Sequence, residues 1–262
     1  MKYNHNTKIS VLIITLNEGN QMKALLADLN FADEIIVVDS YSTDDTEAIC
    51  KSFENVKFIQ NKFENYSSQR NFTISLAKND WVLFLDADER LTAELKNEMV
   101  VTLKNNQTYA AFLFPRTFMF GNKALHFSGN QNDKIFRLFH KNYAKYTSDR
   151  LIHEKLKVDG KIGILKNKLI HYSYTNYDSY KTKIIRYGKL KAQEKYIRKQ
   201  KRSWLLHLFH PVYNFLYNYI VRFGFLDGKK GVIICYLNAY CIHIRYRQLQ
   251  RLWNNKQPLS PK

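Results

Sequence analysis

The stretch Trp81-Val-Leu-Phe-Leu-Asp86-Ala-Asp88 decides how this chain is read. An unbroken apolar run ends abruptly in two carboxylates separated by one alanine. A short continuous apolar run bounded by polar residues is the pattern of a strand buried on both faces. Residues two apart on an extended chain face the same way, so Asp86 and Asp88 are expected to aim at one point. Convergent carboxylates suit a hard divalent cation, Mn²⁺ or Mg²⁺, which takes oxygen ligands and shares diphosphate oxygens. A bare D-x-D arises often by chance; its place at the end of an apolar strand makes it informative.

The same pattern recurs toward the N-terminus. Ile9–Thr15 (ISVLIIT), residues 34–40 (EIIVVDS) and Val56–Gln60 read as strands. Residues 18–29, 43–53, 67–77 and 92–103 read as helices, the last with Thr92 as its N-cap. Strands alternating with helices predict an α/β fold with a parallel sheet and right-handed crossovers. Ligands of such sheets bind beyond the carboxyl ends of the strands, where strand order reverses. Polar residues gather at those ends: Thr15-Leu-Asn17-Glu18, Asp39-Ser40 and Asp86-Ala-Asp88. Loops face water, which explains any one cluster, but three on one rim point to a site. Asp39 suits hydrogen bonds from a ribose or a base. Its alternative role is turn former in DSYSTDDT, where Ser42, Thr43 and Asp45 are candidate helix caps. Arg70, in Gln69-Arg70-Asn71, has the geometry for phosphate, or is simply a solvated helix cation.

Further on, residues 110–120 and 134–139 read as strands around the loop residues Gly121, Ser128, Gly129 and Asn130. From about residue 178 the chain turns helical and basic. Ten Lys or Arg and one acid, Glu194, lie between Lys181 and Arg202. Aromatic helices follow over 204–223 and 231–253. Trp204, Leu208, Val212, Phe215, Leu216, Tyr219, Ile220 and Phe223 recur at helical spacing, with Pro211 starting or kinking the helix. That stripe fits packing on a core or an interfacial anchor on anionic lipid. The composition shift divides the chain into residues 1–200 and a basic, aromatic amphipathic tail, 201–262.

Bulk properties bound these readings. A chain of 262 residues with 45% apolar content supports one sizeable core and excludes disorder. Forty-one Lys and Arg against 23 Asp and Glu give a net charge of +18. That excess favours nucleic acid, phospholipid headgroups or phosphorylated substrates. Three cysteines without a C-x-x-C pair indicate neither a disulfide framework nor a zinc cluster, and the cytoplasm fits best. No signal peptide is expected, and the apolar stretch 232–244, broken by Asn238 and His243, falls short of the roughly 18 residues of a spanning helix. The chain is expected to lie on a membrane rather than cross it.

Together, ISVLIITLNEGN (9–20), EIIVVDSYSTDDT (34–46), QRNFTI (69–74) and WVLFLDADE (81–89) resemble the family 2 glycosyltransferases with the GT-A fold. NDKIFRLF (132–139), IHEKL (152–156), LIHYSYTNYDSY (169–180) and RFGFLDG (222–228) resemble the subgroup of bacterial lipopolysaccharide inner-core β-glucosyltransferases. The resemblance implies a Rossmann-like, mostly parallel sheet with flanking helices and a C-terminal helical extension, the catalytic domain covering 1–200. It implies a cytoplasmic inverting enzyme, peripheral on the inner face of the cytoplasmic membrane and using Mn²⁺ or Mg²⁺. The donor would be a nucleotide-diphosphate-sugar, UDP-glucose at best reading, and the acceptor a glycan or lipid-linked molecule of the cell envelope. Thr15, Asn17, Glu18 and Asp39 would hold the nucleoside, and Arg70 would lie near the donor phosphates or sugar. Asp86 and Asp88 would bind the metal, with Asp86 also meeting the nucleotide-sugar. Inversion needs a base for the acceptor hydroxyl. Glu154 matches best and Asp133 is the rival, although Glu154 also suits pairing with Lys155 or Lys157. His153 and His171 read as packing or hydrogen-bonding residues rather than metal ligands, because no His-x₃-His spacing accompanies them.

Where the family often has Trp-Tyr-Pro, residues 127–132 read FSGNQN, which weakens any transfer of acceptor identity. The Gln-x-x-Arg-Trp motif of processive synthases is absent, favouring transfer of a single sugar. A sugar-nucleotide pyrophosphorylase is the second reading. The single glycine in residues 15–20 argues against its Gly-rich loop. A nucleic-acid-binding protein is the third. It leaves the D-x-D unexplained, since carboxylates repel phosphate, so no nucleic acid partner is expected.

Overall fold

The computed structural model describes residues 8–106, 108–129, 131–147, 155–174, 176–201 and 203–255. In chain order the first elements are β1 (Ile9–Thr15), α1 (Gly19–Ala27), β2 (Glu34–Asp39), α2 (Thr46–Lys51), β3 (Val56–Gln60), α3 (Tyr66–Ser75) and β4 (Trp81–Leu85). Next come β5 (Glu89–Arg90), α4 (Ala93–Lys104), β6 (Tyr109–Phe120), β7 (Lys123–Leu125), β8 (Lys134–His140) and β9 (Ala144–Thr147). The remainder is β10 (Lys155–Val158), β11 (Lys161–Ile164), β12 (Leu169–Tyr174), α5 (Tyr177–Ile197), α6 (Trp204–Leu216) and α7 (Lys229–Asn255). Among the described residues two compact units form: 8–106, 108–116, 133–147 and 155–171 make the first, and 117–129, 131–132, 172–174, 176–201 and 203–255 the second.

The first unit is built on the parallel strands β3-β2-β1-β4, continued by β8 and β6. β1 pairs in parallel with β2 on one side (Leu12↔Ile36) and β4 on the other (Leu12↔Phe84). β8 runs antiparallel to both β4 and β6. The near-continuous apolar runs have their cause here, because both faces of the sheet are covered. Val11, Ile13, Ile35, Val37, Leu83 and Leu85 enter the core on one face. Leu12, Ile36, Val38, Val82 and Phe84, one residue out of step, enter the core on the other. Chain order reverses at β1, so the loops after β1 and β4 flank the switch point where such sheets bind ligands.

The structure corrects two local expectations. β4 ends at Leu85, and Asp86 to Asp88 form a turn rather than a strand end. Glu89 causes this: its amide donates to Asp86 O at 3.0 Å, and the Asp86 amide donates back to Glu89 Oε2 at 3.2 Å. The two-residue periodicity that would aim both carboxylates alike therefore does not apply. α2 begins at Thr46, not residue 43, because the candidate caps serve elsewhere. Ser42 binds Asp39 and Thr43 binds Asn17. Asp45 stands at the N-cap position without a side-chain cap bond, and Asp44 Oδ1 accepts from the Thr46 amide at 3.1 Å. Thr92 caps α4 as expected, accepting from the Leu95 amide at 3.1 Å.

In the second unit, β7 forms a hairpin with the end of β6, and α5 packs on α7. Phe118, Phe120, Leu125, Tyr180, Ile184, Ile234 and Leu237 make its core. Gly188 permits the close helix approach: a Cβ there would stand 2.9 Å from Cys241 O. The expected helix over 204–223 is α-helical only to Leu216 and continues as a π-helical turn, Tyr217–Val221. Pro211 lies inside α6. Among the described residues no helix is long and apolar enough to cross a membrane.

Candidate functional site

The loops leaving β1 and β2 lock onto each other. The Asn17 amide donates to Ser42 Oγ at 2.8 Å, and Asn17 Oδ1 accepts from the Thr43 amide at 2.8 Å. The Glu18 amide donates to Thr46 Oγ1 at 3.0 Å. Asp39, fully buried, accepts from the Ser42 amide at 2.8 Å and from the Ser42 hydroxyl. Asn17 and Tyr41 hold φ of 56° and 63° without being glycine. Left-handed backbone at non-glycine residues costs on the order of 1–3 kcal/mol each, and such strain clusters at functional sites. Thr15 is buried at the end of β1, and among the described residues its Oγ1 has no hydrogen-bond partner. Four sequence-predicted residues, Thr15, Asn17, Glu18 and Asp39, thus share one rim.

A buried charge network lies at the end of β4. Arg70, from α3, donates to Asp86 Oδ1 at 2.9 Å and lies over the Phe84 and Tyr146 rings at 4.6 and 5.2 Å. Arg137, from the middle of β8, binds the other Asp86 oxygen and both Glu89 oxygens, at 2.7 Å each. The Arg137 and Glu89 side chains are 1% and 0% exposed. Burial disfavours the Asp86 carboxylate, but the Arg137 and Arg70 guanidiniums outweigh it and hold that carboxyl well below the ordinary range. Burial dominates at Glu89 and, with the nearby Asp86 charge, pushes it up despite Arg137. Burial opposes charge on Arg137 too, yet Asp86 and Glu89 raise its affinity for the proton. One arginine thus holds two carboxylates together that would otherwise repel.

Asp88 has a different environment. Its Oδ2 lies 3.2 Å from His171 Nε2, and His171 Nδ1 lies 3.3 Å from Arg116 Nη1. Arg116 Nε also donates to Asp133 Oδ2 at 2.6 Å, and its Nη1 is 3.7 Å from Glu89 Oε1. His171 comes from β12, which pairs with β5 through His171↔Glu89. The structure therefore gathers Arg70, Asp86, Asp88 and Asp133 about one cluster. Glu154 and His153 lie outside the described residues. Sequence reading missed Glu89, Arg116 and Arg137 as site members. Their one signal was a cation inside KIFRLF, where a buried strand tolerates charge only if it is paired. His171, expected to hydrogen-bond, does so to the D-x-D itself.

The family described as Glycosyl transferase family 2 matches residues 10–164. An uncharacterized glycosyltransferase of Rickettsia conorii is 31% identical over 254 residues, covering 93% of this chain and 90% of the relative. The lipopolysaccharide core biosynthesis glycosyltransferase LpsC of Rhizobium meliloti is 24% identical over 250 residues, covering 91% of this chain and 93% of LpsC. Among solved structures, S. aureus TarS 1–349 in complex with UDP aligns with a TM-score of 0.50 at 17% identity. That alignment covers 96% of this chain and 92% of the other.

Proposed function

This chain belongs to glycosyl transferase family 2 and has the GT-A fold, and from that premise we propose that it transfers a single sugar, with inversion, to a glycan or lipid-linked acceptor of the cell envelope. The observation that carries the site assignment is the facing pair Asp88 and His171, 3.2 Å apart at the switch-point end of the sheet. The proposed donor is UDP-glucose, on the resemblance of residues 132–139, 152–156, 169–180 and 222–228 to the inner-core β-glucosyltransferases. The LpsC relative supports an acceptor of the lipopolysaccharide core class. We assign transfer chemistry to residues 1–200. Residues 201–262 are assigned to attachment, peripheral on the inner face of the cytoplasmic membrane.

The residues present fit a divalent cation. A carboxylate with an imidazole suits Mn²⁺, and carboxylate oxygens also suit Mg²⁺. Asp88 and His171 would hold it. Asp86, engaged by Arg70 and Arg137, would act on the ion as a neighbouring charge. When bound, the cation neutralises charge on the leaving diphosphate. Around it, Asp39 has lone pairs beyond those used by Ser42, and the Thr15 hydroxyl awaits a partner; both suit a nucleoside. Asn17 and Glu18 shape the loop that receives it. Arg70, fixed by Asp86 and two aromatic rings, supplies a preorganised guanidinium for phosphate or sugar oxygens. Glu154 is the proposed base. Asp133 suits that role less, because its Oδ2 already accepts from Arg116 Nε at 2.6 Å.

A donor screen tests the reading. Nucleotide diphosphate release is measured from a panel of nucleotide-sugars, with and without Mn²⁺, slow hydrolysis serving when no acceptor is supplied. UDP-glucose should be turned over with Mn²⁺ and spared in chelator. Absence of release from every donor with Mn²⁺ refutes the proposal.

A further inference from the structure

Helix α6 is assembled inside out. None of its 13 residues is buried. Trp204, Leu205, Leu208, Phe209, Val212 and Tyr213 are each 56–67% exposed. The side turned to α7 is the polar one. His207 Nε2 lies 3.1 Å from His243 Nδ1, and His210 Nδ1 lies 3.3 Å from the Tyr246 hydroxyl. Arg245 Nη2 approaches the same His210 nitrogen at 3.4 Å. The polar stripe continues through Asn214 and Asn218 to Arg222, whose Nη1 donates to Gly129 O at 3.0 Å. A helix on the surface of a soluble protein does the reverse, turning its apolar stripe to the core.

The outward apolar surface extends past the helix through Leu216, Ile220, Phe223 and Leu226, each 46–56% exposed. About ten large apolar side chains roughly half exposed present on the order of 1,000 Å², against about 300–600 Å² for the largest patch of an ordinary monomer. Charge selects what covers it. The segment leading into α6 carries the ten cations between Lys181 and Arg202. A second copy would bring another chain of +18 against this one, whereas an anionic bilayer complements both the cations and the apolar face. Trp204 and Tyr213 add amphipathic rings suited to headgroup depth. Thirteen residues extend about 20 Å, short of the roughly 30 Å hydrocarbon core, so the helix lies in the plane.

We propose that α6 and the π-helical turn after it form an in-plane anchor, apolar face in the acyl boundary of an anionic bilayer and polar stripe on α7. The inference rests on the membrane-surface part of the function proposed above and names the segment and its orientation. The test uses the full chain with Trp253→Phe, which leaves Trp204 as the exposed indole because Trp81 is 3% exposed. Vesicles of phosphatidylcholine, with and without phosphatidylglycerol, are compared by flotation. Brominated acyl chains then report whether the Trp204 indole reaches lipid. The protein should float with the anionic vesicles and its fluorescence should be quenched. Leu208→Glu with Val212→Glu should weaken binding by at least about tenfold per site, with an unchanged melting curve, since both side chains are exposed. Undiminished binding by that variant overturns the anchor. So does a wild-type dimer in light scattering that the variant turns into monomers. Nucleotide release in solution separates the two proposals. Wild type that releases nucleotide but never floats overturns the anchor and the membrane assignment of residues 201–262 but leaves the transferase reading standing; one that floats but releases none overturns the transferase reading alone.

Discussion

Replacing Arg137 by Met keeps a long side chain and deletes the charge that binds Asp86 and Glu89. Removing one partner of a buried ion pair costs about 3–5 kcal/mol, because the other charge is left without compensation. Asp86 keeps Arg70 at 2.9 Å, and Arg116 stands 3.7 Å from Glu89. Those neighbours place the expected loss near the lower end, about 3 kcal/mol. At roughly 2–4 °C per kcal/mol for a chain of this size, the melting temperature should fall by about 6–12 °C. The sign of the pH effect follows from the two carboxylates. Glu89 is raised in the folded state, so its contribution is full below its unfolded value and is lost as pH rises through the folded one. Without Arg137 it rises further, so the deficit should shrink between pH 8 and pH 5. Asp86 is lowered, so its stabilisation persists above the ordinary carboxylate range and is lost only in strong acid. Urea unfolding followed by circular dichroism at both pH values measures the deficit, and adding Glu89→Gln should restore part of it. A loss under about 1 kcal/mol at pH 8, or an equal deficit at pH 5, would refute the view that Arg137 neutralises a buried carboxylate pair.

Asp88→Ala should abolish metal-dependent donor binding while changing stability by about 1 kcal/mol or less, its side chain being 30% exposed. Calorimetric titration with Mn²⁺ and UDP reads the first and thermal melting the second; full activity in the variant, or in excess chelator, defeats the metal assignment. Glu154→Gln should slow transfer by roughly 10²-fold or more with donor affinity little changed, the scale of a lost general base. If Asp133→Asn is inactive and Glu154→Gln is active in the same assay, the base is Asp133. Burial pushes the Cys50 thiol up to about 12 and raises those of Cys235 and Cys241. A thiol at that value is only about 10⁻⁴ ionised at pH 8, so a disulfide reagent should label native protein slowly and all three thiols quickly in denaturant. Rapid labelling of the native chain at Cys50 would contradict its burial.

The strands β1 to β4 and the rim at their carboxyl ends were legible in the sequence because their cause is local. A strand covered on both faces is near-continuously apolar, as β1, β2 and β4 are, and the polar residues at its carboxyl end mark where it emerges. Thr15, Asp39 and the Asp86 to Asp88 pair could be placed on that rim by this reasoning alone. The internal wiring could not. Asp86 meets Arg137 from 51 residues away and Asp88 meets His171 from 83, and no periodicity encodes which distant side chain completes a charge network. Turn geometry also lies beyond a two-residue rule: Glu89 folds the D-x-D back on itself and gives its two carboxylates separate partners. The tail shows the limit most clearly. Trp204, Leu208, Val212 and Leu216 define an apolar stripe by spacing alone, equally compatible with core and with lipid. Spacing identifies a face but not what it faces. That was decided by the tertiary structure, where the histidines of α6 meet α7 and the apolar stripe is left outward.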